Sequence, residues 1–345
     1  MTAQNTDGHA IAAGPANAGE ILPVFEKPAM PWREALFSSR LLFVMGKGGV
    51  GKTTTSIALA FAAAREGKKI LLAEVGDSDA IGRLFHEAAL TENPRELSPN
   101  VWGARVDPRA ELEAYVRAHV SPGFIAGKII RSRLFDYLFE AAPGLKEVMS
   151  LGRLWRWETS GRNLPDAAFD LIIVDAPATG HALSLLRLPD MLIHMIRVGP
   201  VANQIRKLQS LLKDPRKTRL VLVALPEELP INEAVELYSA AEHSLKMPIA
   251  ATFINCVYPR IFSPDETERI QFLEDQYHSV ADSPEKRLVS SGADLIRLRL
   301  QQQRHMAVIC ENTPNPVQEI PFCFSRDLGL PEIQELSFFN PLDFV

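Results

Sequence analysis

Residues 41–65 read LLFVMGKGGVGKTTTSIALAFAAAR. An unbroken apolar run meets four glycines in six positions, and an alanine-rich stretch follows at once. The apolar run suits a strand buried on both faces, and the alanines suit a helix. A strand feeding directly into a helix is half of a βαβ unit, so this stretch commits the chain to an α/β architecture. Gly46-Lys47-Gly48-Gly49-Val50-Gly51-Lys52-Thr53 satisfies GxxxxGK[ST], in the strand-to-helix context that a phosphate-binding loop requires. Glycines let successive backbone N–H groups turn toward an anion, and the helix N-terminus adds its positive end. Lys52 is expected to bridge the β- and γ-phosphates of a nucleotide. The Thr53 hydroxyl is expected to ligate Mg²⁺, with Thr54 following it in the first helical turn.

Similar apolar runs recur at 69–75 (KILLAEV), 169–176 (FDLIIVDA), 219–225 (RLVLVAL) and 248–257 (PIAATFINCV), with a weaker one at 317–322 (VQEIPF). Such runs fit a mainly parallel sheet wrapped by helices. Between the second and third runs, roughly 86–165, no convincing strand is visible. Its centre has helical apolar spacing, as at Ile129, Ile130, Leu134, Leu138 and Phe139, and it reads as a helical insertion. A second helical stretch is expected over about 265–310. Residues 1–30 are rich in Ala, Gly, Asn and Pro without periodicity, so the chain to residue 34 reads as a disordered leader before a single domain spanning 35–345.

Composition narrows the function classes. The net charge of −5 and a pI near 6.0 give no global argument for nucleic acid or an anionic membrane. The local basic stretch from Arg206 to Arg219 reads as a solvated helix face, with a docking patch as the other reading. Cys256, Cys310 and Cys323 lie too far apart for CxxC and suggest reduced thiols. No secretory signal and no run of 18 apolar residues is visible. The expectation is a cytoplasmic protein without stable membrane insertion.

An ordinary phosphate loop needs one lysine, and this one has two. The variant GKGGVGKTT resembles the deviant class of P-loop ATPases, whose first lysine reaches the nucleotide of a partner subunit. The segment FDLIIVDAPATGHALSLLRLPD (169–190) resembles the switch II signature of the arsenite-pump and tail-anchored-protein-targeting ATPase family. Thr179-Gly180-His181 matches its TGH, while Ala176, Pro177 and Ala178 permute its TAP. LVALPEELPINEAVELYSAAE (222–242), APGLKEVMSLGRLW (142–155) and EIPFCFSRDLGLPEIQEL (319–336) resemble further family segments, so the likeness covers roughly residues 38–336. It implies a SIMIBI-type P-loop fold, ATP and Mg²⁺ as cofactors, and a nucleotide-sandwich dimer, either of one chain or of paralogues. It also implies that Asp175 contacts Mg²⁺ through water, that Asn255 reads the adenine edge, that residues around Pro321 form the adenine loop, and that Lys47 acts on the partner's nucleotide.

One family element is altered. Switch I in the family reads DPAxxLSDAF, its first Asp positioning the attacking water, whereas this chain has GDSDAIGRLF at 76–85, with Gly76 in that place. Asp77 is the first choice for the missing carboxylate; Asp79, or an impaired hydrolysis, are the others. The scattered cysteines do not form a recognisable soft-metal set, and the family's zinc-binding CxxC is absent. The helical insertion could hold a client through Phe124, Ile125, Ile129, Leu134, Phe135, Leu138, Met149, Leu151, Met191 and Met195, or these residues could be ordinary packing core. The expected function is a dimeric Mg-ATP-dependent ATPase that switches a surface for a protein client or membrane-associated partner. The alternative is a nucleotide-gated binding protein with weak or absent hydrolysis.

Overall fold

The computed structural model describes residues 31–76, 78–160, 168–177, 179–195 and 198–336. Residues 1–30 of the expected leader therefore lie outside the described residues. Helix α1 (Pro31–Phe37) begins inside the segment assigned to that leader and buries Leu36 and Phe37, so the folded part starts earlier than residue 35.

The chain continues through β1 (Leu41–Met45), α2 (Lys52–Arg65), β2 (Ile70–Val75), α3 (Ala80–Leu84), β3 (Arg95–Ser98) and β4 (Val101–Val106). Helices α4 (Pro108–His119), α5 (Gly123–Ile130), α6 (Arg133–Ala141) and α7 (Leu145–Ser160) follow before β5 (Leu171–Asp175). Next come α8 (Thr179–Met195), α9 (Pro200–Lys213), β6 (Thr218–Ala224) and α10 (Glu228–Ser239), the last prolonged by a π-helical turn, Ala240–Leu245. The described part ends with β7 (Ile249–Val257), α11 (Pro264–Tyr277), α12 (Pro284–Asn312), β8 (Val317–Pro321) and α13 (Leu330–Leu336).

Among the described residues the sheet has eight strands in the order β3-β4-β2-β5-β1-β6-β7-β8. Every neighbouring pair is parallel except β3–β4. Successive side chains of a strand leave opposite faces, and here both faces are covered. Leu41, Phe43 and Met45 join a core with α7, α8 and α9. Leu42 and Val44 join a second core with α1, α2 and α13. This two-sided burial is why the strands read as unbroken apolar runs. Chain order reverses across β1, which lies between β5 and β6, so the crevice at its C-terminal end is the natural ligand position in such a sheet.

The expectation of no strand between 86 and 165 is corrected by β3 and β4. They form an antiparallel pair around Pro99-Asn100, with Asn100 at φ +63°. RELS is too polar to stand out, and VWGARV contains Gly103 and Arg105 where an apolar run would have branched side chains. Gly103 is needed for close packing, since a Cβ there would stand 2.5 Å from Leu97 Cδ1. Six residues of β4 pair in parallel register with β2, so tertiary pairing stabilises a segment of weak intrinsic preference. No helix among the described residues is long and apolar enough to cross a membrane.

Candidate functional site

The phosphate loop connects β1 to α2 at the topological crevice, and two glycines in it are required by close approach. A Cβ on Gly46 would stand 2.2 Å from the Val223 carbonyl oxygen of β6, which the sheet holds in place. A Cβ on Gly51, at φ +92°, would stand 2.2 Å from Asn255 Nδ2. The Gly46→Ala variant is therefore expected to push the loop off β6 at a cost of about 2 kcal/mol, typical of overpacking. Denaturant unfolding should register that loss, and a nucleotide titration should show weakened binding.

Lys52, half-buried at the first turn of α2, donates from Nζ to the Lys47 carbonyl across the loop at 2.9 Å. Burial pushes its pKa down, against the upward pull of Asp175. The Thr53 hydroxyl donates to Asp175 Oδ2 at 2.6 Å, and Ser56 Oγ approaches Asp175 Oδ1 at 3.5 Å. Thr54 is half-buried beside them. Burial pushes the Asp175 carboxyl up, opposed by the Thr53 bond, Lys52 and Ser56. Glu74, buried at 0% exposure on the neighbouring strand, is likewise pushed up, chiefly by burial and also by Asp175.

This donor set fits a hard divalent cation. It offers a hydroxyl and buried carboxylate oxygens, the preferred partners of Mg²⁺ and its waters. Two carboxyls raised chiefly by burial, Glu74 also by Asp175, are what a nearby cation would relieve. Among the described residues no group of three or more His, Cys, Asp or Glu side chains is placed to hold a metal ion.

Lys47 points to a partner of its own. Its Nζ lies 2.7 Å from Glu233 Oε1 on α10, both side chains being more than a third exposed. Glu233 sits inside the 222–242 segment already singled out, but its pairing with Lys47 required the fold. Asn255, near the end of β7, is buried and donates from Nδ2 to the Val50 carbonyl at 3.0 Å, bracing the loop directly. Pro321 closes β8 opposite Val257, and Tyr258, Phe322 and Phe324 form an aromatic cluster in the adjoining residues, with ring centroids 5.0–6.1 Å apart. Thus Gly46, Lys47, Gly48, Gly49, Val50, Gly51, Lys52, Thr53, Asp175 and Asn255 meet at one crevice, with Pro321 at its β8 edge.

Asp77 lies outside the described residues, as do Ala178 and the side chains of Thr179 and His181. Gly76 is exposed at φ +108°, its carbonyl accepting from the Arg105 guanidinium of β4 at 3.1 Å. Asp79 turns back on α3, where a Cβ on Gly82 would stand 2.8 Å from its Oδ1. A cavity of about 980 Å³ is lined by Gly76, Arg105 and Pro177 together with Phe139, Lys146 and Ser150 of the insertion. On the insertion's outer side, Phe124, Ile125, Ile129, Leu134 and Leu138 of α5 and α6 are exposed, as are Tyr137 and Met191. Phe135 and Leu151 are core residues instead, at 4% and 2% exposure, and Met149 is partly buried. The Met195 side chain lies outside the described residues.

Comparison with known proteins gives a consistent result. Residues 39–208 match a family described as anion-transporting ATPase. ATPase BagA of Mycobacterium tuberculosis is 30% identical over 273 residues, which span 76% of this chain and 77% of the relative. The arsenical pump-driving ATPase of Escherichia coli is 28% identical over 261 residues, 70% of this chain and 44% of the pump protein. ATPase GET3 of Mycosarcoma maydis is 27% identical over 233 residues, 57% of this chain and 66% of its own.

Proposed function

Because the chain belongs to the anion-transporting ATPase family, we propose that it binds Mg²⁺–ATP, closes with a second subunit around the nucleotide, and hydrolyses it to switch a helical partner surface. The observation that carries this reading is the junction of Lys52, Thr53 and Asp175. A strand-end carboxylate holds the loop hydroxyl at 2.6 Å, with the loop lysine beside it. Lys52 would neutralise the β- and γ-phosphates, and backbone N–H groups of Gly48 to Thr53 would cradle them. Thr53 and Asp175 would hold magnesium, directly and through water. When bound, magnesium neutralises charge on the phosphates and orients them. Asn255 and the Pro321 edge would receive the adenine.

Lys47 is the residue assigned to the partner subunit, a second copy or a paralogue. Its intrachain pair with Glu233 is half-exposed, and such pairs contribute about 0–1 kcal/mol. A charged hydrogen bond to phosphate in a closed interface is worth about 1.5–3 kcal/mol, so closure would win the competition. The exposed apolar residues of α5 and α6 form the proposed client surface, and the cavity beneath adjoins both switch segments. That arrangement suits a change near Gly76 and Pro177 being felt in the insertion. A protein client is favoured over a metalloid because Cys256, Cys310 and Cys323 form no thiolate cluster. The proposed setting is the cytoplasm.

Gly76 favours a second reading, in which nucleotide gates a binding protein and hydrolysis is weak. Mixing the protein with Mg²⁺–ATP under single-turnover conditions, with mass followed by light scattering, separates the two. Dimerisation with phosphate release supports the ATPase; dimerisation without release supports the gated binder. Absence of Mg²⁺-dependent nucleotide binding would sink both.

A further inference from the structure

Glu74 is a charged residue in the middle of the apolar run KILLAEV, and it is completely buried. One oxygen has evident work: Oε1 accepts from the backbone N–H groups of Ala80 and Ile81 at 2.8 and 3.3 Å, capping the short helix α3. The other oxygen, Oε2, is buried and accepts no hydrogen bond of normal geometry among the described residues, the Ser78 hydroxyl acting on the carboxylate only as a minor influence. A buried acceptor left unpaired is destabilising, and more so when charged, so it calls for a missing donor. Capping does not explain it, since one neutral oxygen would cap α3 equally well.

The sheet register indicates where that donor lies. Glu74 on β2 is the direct partner of Asp175 on the adjacent parallel strand β5. By alternation, Ile70, Leu72 and Glu74 leave the same face as Leu171, Ile173 and Asp175, and that face carries α2 with Thr53 and Ser56. Strands are spaced about 4.8 Å apart, and glutamate is one methylene longer than aspartate, so the two carboxylates share one zone beside Thr53. Without a positive partner between them they repel one another.

We infer that Glu74 is the second carboxylate of the cation site, its Oε2 accepting a hydrogen bond from a water in the hydration shell of the nucleotide-bound divalent cation. The inference rests on the Mg²⁺–ATP reading above. Magnesium keeps several of its waters when bound through phosphates, so an outer acceptor has molecules to hold. Glu74 is then a positioning residue, fixed on a buried strand rather than on the switch loop that follows it.

The test uses the full chain loaded with ADP, with Mn²⁺ as the probe and free Mn²⁺ read by electron paramagnetic resonance. Glu74→Gln keeps the volume and the oxygen that caps α3, but places an amide N–H₂ where Oε2 stood. Loss of an outer-shell partner typically weakens metal affinity about 10–100-fold, and a loss of at least tenfold is expected here. ADP affinity in EDTA should stay within about twofold of wild type, since phosphate contacts are untouched. Equal Mn²⁺ affinity in the two proteins would overturn the inference. So would a parallel fall in metal-free ADP affinity and thermal midpoint, which would leave Glu74 as a cap for α3 only. If the wild type itself shows no Mn²⁺-dependent ADP binding, the failure belongs to the Mg²⁺–ATP reading.

Discussion

Lys52→Ala is expected to remove hydrolysis almost completely while leaving the fold intact. Lys52 would contact two phosphates, and each charged hydrogen bond contributes about 1.5–3 kcal/mol, so the combined loss is about 3–6 kcal/mol. That corresponds to a fall in turnover of roughly 10²–10⁴-fold at 1.4 kcal/mol per decade. Stability should change little, because burial already works against the Lys52 charge and, among the described residues, its ammonium donates only to the Lys47 carbonyl. Lys52→Arg should recover little of the activity. A planar guanidinium does not reproduce a compact ammonium that donates into the loop at the Lys47 carbonyl. Phosphate release under single turnover, alongside denaturant unfolding, checks both halves of the expectation.

Lys47→Ala should behave differently, and the contrast separates the two lysines. Its ammonium pairs with Glu233 rather than with the loop, so nucleotide affinity should stay within about threefold of wild type. Turnover should drop on the order of 100-fold, the size of effect seen when one donor to developing transition-state charge is removed. ATP-driven dimerisation should weaken with it. If Lys47→Ala instead lost affinity as severely as Lys52→Ala, both lysines would belong to one cradle, and Lys47 would need no second subunit.

The phosphate loop was legible because its chemistry is local: glycine spacing, a lysine, a threonine and an adjoining strand lie within one short segment. The apolar runs located the buried parallel strands for a similar reason, since burial on both faces removes alternation. The β3–β4 pair is not legible in the sequence because Arg95–Ser98 is polar and Val101–Val106 carries Gly103 and Arg105; the pairing of β4 with β2 is a long-range fact. The same limit applies to the site. Asp175 was marked by its motif, whereas Glu74 became meaningful only when the register set it beside Asp175 and the packing left Oε2 unpaired. Glu233 lay in a recognised segment, yet 186 positions separate it from Lys47, and no local pattern links them. Phe135 and Leu151 share apolar character with exposed neighbours, yet they are core residues, because helical spacing alone does not reveal which face is buried.

The most direct measurement is the rate of ATP hydrolysis per chain as a function of protein concentration, at saturating Mg²⁺–ATP. If closure of two subunits brings Lys47 to its partner's nucleotide, the rate per chain rises with concentration and then levels off at full dimer, and Lys47→Ala flattens the curve. A rate per chain that is substantial and independent of concentration, in a protein shown to be monomeric over the same range, would contradict the account.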